Sequence, residues 1–203
     1  MNPGICIQVS LKSQRLPLKA LLPLDGRPML DTLITRLEDA LWYMPIAVCV
    51  PNNPRDYLIE SVVERRHKTK NSKIFLLKGS ELNLAKRFMR TNFDPVIRVT
   101  GDNPLTDTDM IIRLLGEYIH SDAEYVYPTG IPRGVKSEII SHSALKRMAA
   151  ELPEECQETE FSSWLQLNVK SQKIDFNMDD KDESYTCDTQ EDYEKLVKYF
   201  NPE

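Results

Sequence analysis

"GICIQVSLKSQRLPLK" (residues 4–19) joins two unlike pieces of chain. "GICIQV" (4–9) is a short, apolar, β-branched run with the composition of a buried strand. The residues after it carry three cations, Lys12, Arg15 and Lys19, together with Ser10 and Ser13. Cations, hydroxyls and loop amides that converge on one point are what a phosphate group needs. The same residues would also make a surface loop that is merely basic, and both readings stand at this stage. The pattern of the neighbouring segments decides which fold such a strand and loop belong to.

Outward from this stretch, strands and helices alternate. "MLDTLITRLEDAL" (29–41) sets Met29, Leu30, Leu33, Ile34, Leu37 and Leu41 on one helical face, with Pro28 suited to its first turn. A strand is expected at 45–50, a helix with a basic end at 55–68, and a strand at 73–77. A helix capped by Ser80 is expected over 80–92, and a strand over 95–100. After the tight loop "GDNPLTD" (101–107) come a helix at 108–120, opened by Asp107 and Asp109, and a strand at 123–128. Alternation of this kind predicts an α/β fold with a mostly parallel sheet and helices on both faces. Ligands of such sheets sit beyond the carboxyl ends of the strands. The cationic loop and "GDNP" both belong on that edge. In the last third, a strand runs into a helix that Ser143 would cap (137–152). A helix (158–169), a strand (171–178), an acidic loop (179–184) and a short strand leading into a closing helix (185–200) complete the chain.

Composition narrows the function. The 203 residues fit a single domain, 1–203, in which 1–128 form the βα core and 129–203 the remainder. The hydrophobic share of 41%, the charged share of 28% and the absence of any apolar run near ~20 residues predict a soluble, cytoplasmic chain with no membrane partner. A net charge of -5 argues against a nucleic-acid polymer as partner but leaves room for a small anion. Cys6, Cys49, Cys156 and Cys187 form no CxxC pair, and His67, His120 and His142 are equally scattered. No zinc site is expected, and Cys6 and Cys49 read as buried small hydrophobes. Asp102 of "GDNP" suits magnesium, which takes one or two carboxylates plus phosphate oxygens and water. It also suits a turn that bonds its own backbone. Asp188, with Glu191 three residues later, has the spacing of a helix cap. The alternative is a second metal ligand returned from the far end of the chain.

Read in order, "SxRLPxK" (13–19), "GSELNLAKRF" (79–88), "RVTGDNPL" (98–105), "PRGVKSEII" (132–140) and "DTQED" (188–192) resemble one family. It is the spore-coat polysaccharide type of cytidylyltransferase, related to the enzymes that activate acylneuraminate and 3-deoxy-manno-octulosonate. The resemblance implies a nucleotide-diphosphosugar transferase fold, GT-A-like and Rossmann-like in three layers. It implies magnesium and CTP, a sugar substrate of acidic or amino type, and a homodimer. Trp164 and Leu165 would then contribute either to the dimer surface or to local core. By resemblance Arg15 and Lys19 contact phosphate, and Asp102 and Asp188 hold the metal. Gln8, Ser10, Lys12, Ser13, Ser80, Thr100 and Gly101 lie on the nucleotide side, and Arg133 and Glu138 on the sugar side. The reaction would be attack of a sugar hydroxyl on the α-phosphate with release of pyrophosphate.

The chain departs from the family's "QARMGSTRLPGK" pattern. Ser10 stands for an arginine, and Lys12 and Leu18 stand for its two glycines. A lysine in a left-handed conformation at position 12 would cost ~1–3 kcal/mol. Lys136 replaces the acid of "GLDVE", and "EFSS" (160–163) stands for "EHVT". These changes leave two readings: an active transferase, or a non-catalytic nucleotide or sugar-nucleotide binding protein of the same fold.

Overall fold

The structure, a computed structural model, describes residues 1–69, 73–80 and 82–201. Of the residues in the expected 80–92 helix, Glu81 lies outside the described residues, as does the side chain of His67. Strands β1 (Gly4–Gln8), β4 (Ile46–Pro51), β5 (Ile74–Gly79) and β6 (Val96–Thr100) form the parallel half of a seven-stranded sheet. β7 (Tyr125–Thr129), β8 (Glu138–Ile140) and β9 (Ser171–Asp175) complete it in the order β5-β4-β1-β6-β8-β7-β9. β8 runs antiparallel to both neighbours, while β7 and β9 are parallel to each other. The short ribbon of β2 (Pro23–Leu24) and β3 (Arg27–Pro28) is a separate hairpin. Its turn residues Asp25 and Gly26 both have positive φ, which an Asp-Gly pair accepts readily.

The alternation of β1 side chains builds the layers. Ile5 and Ile7 face a core with Leu30, Leu33 and Leu37 of α1 (Met29–Ala40). Val63 of α2 (Tyr57–Thr69) and Ile111 of α4 (Thr108–Ile119) complete that layer. Cys6 faces the other way, toward Phe88 of α3 (Leu84–Met89), Met148 of α5 (His142–Glu151) and Phe161 of α6 (Gln157–Asn168). Cys6 and Cys49 are buried as expected of small hydrophobes. Leu165 is fully buried in this second core and Trp164 packs against it, so the pair serves local packing. A third cluster at the carboxyl edge joins Leu16, Leu24, Met29, Leu105, Cys187 and Leu196. Through Leu196 it takes in α7 (Gln190–Phe200), the closing helix. No described helix is long and apolar enough to cross a membrane.

Several local expectations are corrected. Pro28 is the residue before α1 and not part of its first turn. Ser80 does not cap the next helix: Asn83 does, by accepting from the Lys86 amide, and the helix ends at Met89. Ser80 instead accepts from the Asn83 amide at 3.1 Å, one step upstream. Ser141, and not Ser143, caps α5, because its Oγ lies 3.0 Å from the Ala144 amide. Asp107 does cap α4, through the Met110 amide. Residues 185–188 form no strand; Ser184 alone bridges to Arg133. Asp188 is not the cap of α7. Thr189 is, in a reciprocal capping box with Asp192.

A buried ion pair ties the two halves of the sheet. Arg98 on β6 faces Glu138 on β8 in register, with Nη1 2.5 Å from Oε2. Glu138 also accepts from Tyr125 Oη at 2.8 Å, Ser162 Oγ at 2.7 Å and Lys136 Nζ at 3.3 Å. Burial alone would raise the Glu138 pKa, but Arg98, Lys136 and Ser162 outweigh it and hold the carboxyl at about 2. The stability this provides is present above the unfolded value of ~4.5 and is lost as pH falls toward 2. Glu138→Gln keeps the shape but strands the Arg98 charge, so it should cost about 3–5 kcal/mol in a denaturant titration at pH 7. The gap between wild type and variant should close as pH falls below about 4.

Candidate active site

The site gathers at the carboxyl ends of β1, β4 and β6. A cavity of about 330 Å³ opens there, lined by Gln8, Ser10, Lys12, Ser13, Lys19, Thr100, Gly101 and Asp102 among others. These eight residues, all assigned from sequence, thus share one wall. Gly101 is required by the close approach of β1 and β6: a Cβ there would lie 2.7 Å from Val9 Cβ. Gln8 is aimed by Arg98, whose Nη2 lies 2.9 Å from Gln8 Oε1. Through this bond the Glu138 network reaches the cavity wall.

The loop after β1 holds its shape with few glycine-like positions. The Leu11 amide donates to Asp56 Oδ1 at 3.0 Å. Leu11 and Leu16 are buried and anchor the loop. Ser10 Oγ accepts from the Lys12 amide, and Ser13 Oγ from the Leu16 amide, both at 3.3 Å. Lys12 is not in the left-handed region, so the strain expected there does not arise. Leu18 is, with φ 58 and ψ 18, at the head of the single turn Lys19–Leu21 that carries Lys19 inward.

Lys19 sits between two carboxylates. Its Nζ lies 2.5 Å from Asp102 Oδ2 and 2.9 Å from Asp188 Oδ1. Asp102 stands on the turn after β6. Asp188 arrives from the far end of the chain, fixed by three features. The Cys187 amide donates to the Asp102 carbonyl at 3.0 Å, and the Asp188 amide donates to Asp192 Oδ2 at 3.1 Å. Gly134, with φ +90, lets Tyr185 and Thr186 pass close by: a Cβ there would lie 2.3 Å from the Thr186 nitrogen. Arg15 Nη2 and Arg133 Nη2 also reach Asp188, at 3.1 and 3.5 Å.

Burial opposes the charge on Lys19, but Asp102 and Asp188 outweigh it and hold its pKa above the ordinary lysine value. Burial likewise acts to raise the Asp188 pKa. Lys19, then Arg15 and Arg133, outweigh it and hold the carboxyl below the usual range. Two carboxylates converging on one cation are a donor set that also suits magnesium. No cluster of three or more His, Cys, Asp or Glu side chains fit for a metal occurs among the described residues. A metal held by Asp102 and Asp188 would therefore complete its shell with ligand oxygens and water.

A family model described as Cytidylyltransferase matches residues 5–200. The chain belongs to the cytidylyltransferase family. It is 26% identical over 143 residues to the spore coat polysaccharide biosynthesis protein SpsF of Bacillus subtilis, covering 68% of this chain and 59% of that protein. An uncharacterized protein of Methanocaldococcus jannaschii is 26% identical over 172 residues, covering 83% and 68%. Among solved structures, a cytidylyltransferase from Leptospira borgpetersenii superposes with a TM-score of 0.86 at 24% identity, covering 97% of this chain and 85% of that one. A CMP:2-keto-3-deoxy-manno-octonic acid synthetase complexed with CTP gives 0.72 at 15% identity, covering 98% of each. These two likenesses establish the shared fold.

Not every residue assigned from sequence enters the cavity. Arg15 and Arg133 stay outside its lining and contact Asp188. Ser80 lies in a separate depression with Asn52, Lys78, Gly79 and Arg90. Glu138 is 3% exposed within its network and does not reach the cavity. Sequence reading missed Pro51, Leu82, Arg87 and Glu158, which line the cavity. Nothing local marks Glu158 or Leu82. Arg87 reads as an ordinary cation on a helix, and only its burial reveals it.

Leu18→Gly should stabilise the fold by ~0.5–1 kcal/mol in a denaturant titration, although it deletes a large side chain. The leucine is 44% exposed and joins none of the three core clusters, and glycine adopts the left-handed conformation without the steric cost of about 1–2 kcal/mol that a leucine bears. A loss of stability would mean that Leu18 contributes more by packing than it costs by strain.

Proposed function

We propose that this chain transfers CMP from CTP to a sugar hydroxyl, with release of pyrophosphate, for surface polysaccharide synthesis. The observation that carries this reading is Lys19 held between Asp102 and Asp188 at the edge of a cavity lined by serines and cations. Lys19, Arg15 and Arg133 contact Asp188, and Lys19 also contacts Asp102. Three cations against two carboxylates leave one net positive charge. A triphosphate entering this field meets donors already collected beside it.

Asp102 and Asp188 would hold magnesium, which supplies charge stabilisation at the phosphate oxygens. Lys19 is the group that must move for this to happen, since its ammonium occupies the point where the carboxylates converge. It then lies within reach of phosphate oxygens, and Arg15 beside it is exposed and able to follow. Both cations would offset negative charge as the α-phosphate is attacked. The fold shared with the CTP-complexed synthetase is compatible with this arrangement. Ser10, in place of the family's arginine, favours the non-catalytic alternative, because one guanidinium fork is missing from the loop.

The test is thermal unfolding with each of CTP, UTP, GTP and ATP, with and without magnesium. At ~100 times its dissociation constant a ligand adds about 2.7 kcal/mol, a shift of a few degrees. A magnesium-dependent shift with CTP that vanishes in Asp102→Asn and Asp188→Asn, followed by pyrophosphate release in a sugar screen, is the expected result. Binding of CTP without pyrophosphate release from any sugar would favour the non-catalytic reading, and no shift with any nucleotide would defeat the transferase reading and leave the non-catalytic one in the lead. A second expectation concerns the resident cation. Without nucleotide, Lys19→Met should bind Mn2+ roughly tenfold more tightly than wild type, read from the free-ion signal in electron paramagnetic resonance. Its affinity for CTP should fall.

A further inference from the structure

We propose that Arg98 and Glu138 are positioning residues: together they lock the Gln8 carboxamide so that its NH2 group, and not its oxygen, faces the bound nucleotide. This rests on the reading of the cavity as a nucleotide site, and it gives a role there to a buried ion pair that lies outside the cavity lining.

Gln8 is the last residue of β1 and lines the cavity. It stands in register with Thr100 of β6, close before Asp102. Side chains alternate along a strand, so Gln8 leaves the sheet on the same side as Cys6. Arg98 is the β6 partner of Cys6, and its guanidinium lies over the Phe161 ring of α6 on that side. There it meets Gln8. Arg98 Nε at 3.2 Å and Nη2 at 2.9 Å both donate to Gln8 Oε1, while Nη1 donates to Glu138 Oε2 at 2.5 Å.

A carboxamide has one accepting end and one donating end. An arginine has no acceptor, so it can grip only the oxygen end, and two donors on that oxygen exclude the flipped amide. Gln8 Nε2 is left pointing away from the guanidinium. It has no hydrogen-bond partner among the described residues, yet it is not sealed from solvent. The amide nitrogen therefore opens into the cavity as a fixed donor. Glu138 keeps the fork in place, and its own orientation is fixed by Tyr125 Oη and Ser162 Oγ on Oε1. A buried ion pair is a costly way to join two strands when apolar side chains would serve. Holding one amide in one orientation is a task that apolar side chains cannot perform.

A donor at this point suits an acceptor oxygen of the ligand. Ser10, Ser13 and Lys19 line the same cavity, and Gln8 adds a donor that is uncharged and held in place. An unheld glutamine would rotate and show its oxygen for part of the time, and that oxygen would repel the oxygens of a nucleotide. Locking the amide removes this alternative before the ligand arrives, which is a gain by preorganisation. The acceptor oxygen belongs to a phosphate or to the nucleoside, and inorganic pyrophosphate separates the two sources.

Isothermal titration with CTP and with inorganic pyrophosphate, in magnesium, tests this on wild type, Gln8→Ala, Arg98→Lys and the two substitutions combined. Loss of one neutral hydrogen bond should weaken CTP by roughly three- to tenfold in Gln8→Ala. Arg98→Lys keeps a charge against Glu138 but lacks the fork that grips Gln8, so it should weaken CTP by a similar factor. In the combined variant the two losses should not multiply, because both act through one amide. Pyrophosphate weakened in parallel assigns the contact to a phosphate oxygen; pyrophosphate unchanged assigns it to the nucleoside. Losses that multiply, or CTP affinity unchanged in either single variant, overturn the assignment and leave the nucleotide reading intact. If Arg98→Lys fails to fold, Arg98→Met with Glu138→Gln removes both buried charges together and takes its place in the same comparison. No binding of CTP by wild type overturns the assignment together with the nucleotide reading.

Discussion

Arg98 and Glu138 bond across two antiparallel strands in the middle of the sheet, and the rest of the architecture is arranged around that buried pair. Two charges taken out of water are costly unless the remaining donors and acceptors are met. Here they are met from both halves of the sheet and from a helix. Gln8 comes from β1, Tyr125 from β7, Ser162 from α6 and Lys136 from the turn before β8, and the Phe161 ring lies beneath the Arg98 guanidinium at 4.6 Å. The pair thus holds the parallel half of the sheet against the antiparallel half and orients one residue of the cavity wall. Two departures from the family pattern, Lys136 and Ser162, meet on the same carboxylate. They belong to one hydrogen-bonded network.

The site is assembled from segments that start far apart. The β1 loop, the turn after β6 and the segment before α7 share the cluster of Leu16, Leu105 and Cys187. Apolar contact brings the three backbones together, and the Cys187-to-Asp102 backbone bond sets their register. The capping box of Thr189 and Asp192 holds the start of α7, and this frees the Asp188 carboxylate to face Lys19. In this arrangement Lys19, Arg15 and Arg133 sit against Asp102 and Asp188, so both carboxylates are compensated.

The loop after β1 keeps an ordered path without the glycines of the family pattern. Of the two glycine positions in the family pattern, only the second demands a left-handed residue in this chain, and Leu18 accepts that strain. At Lys12 the chain takes an ordinary conformation, held by the Ser10 hydroxyl on the Lys12 amide and by Asp56 on the neighbouring Leu11 amide. Side-chain acceptors do here what backbone freedom does in glycine-rich loops.

Local sequence dictates the alternation of strands and helices, the parallel half of the sheet and the placement of Lys12, Ser13, Lys19 and Asp102 on one edge. Those features come from local periodicity and from the rule that ligands sit beyond the carboxyl ends of strands. The Asp-Gly hairpin and the Thr189 cap also carry local signals, one masked by its short strands and the other by an aspartate at the adjacent position. Three features emerge only when the chain is packed: Asp188 joins Asp102, Glu138 is an internal anchor, and Arg87 lies buried in the cavity wall. Each of these depends on contacts between segments remote along the chain. Charge and hydrogen-bonding partners are set by distance in space, and no pattern of neighbours along the chain encodes that distance.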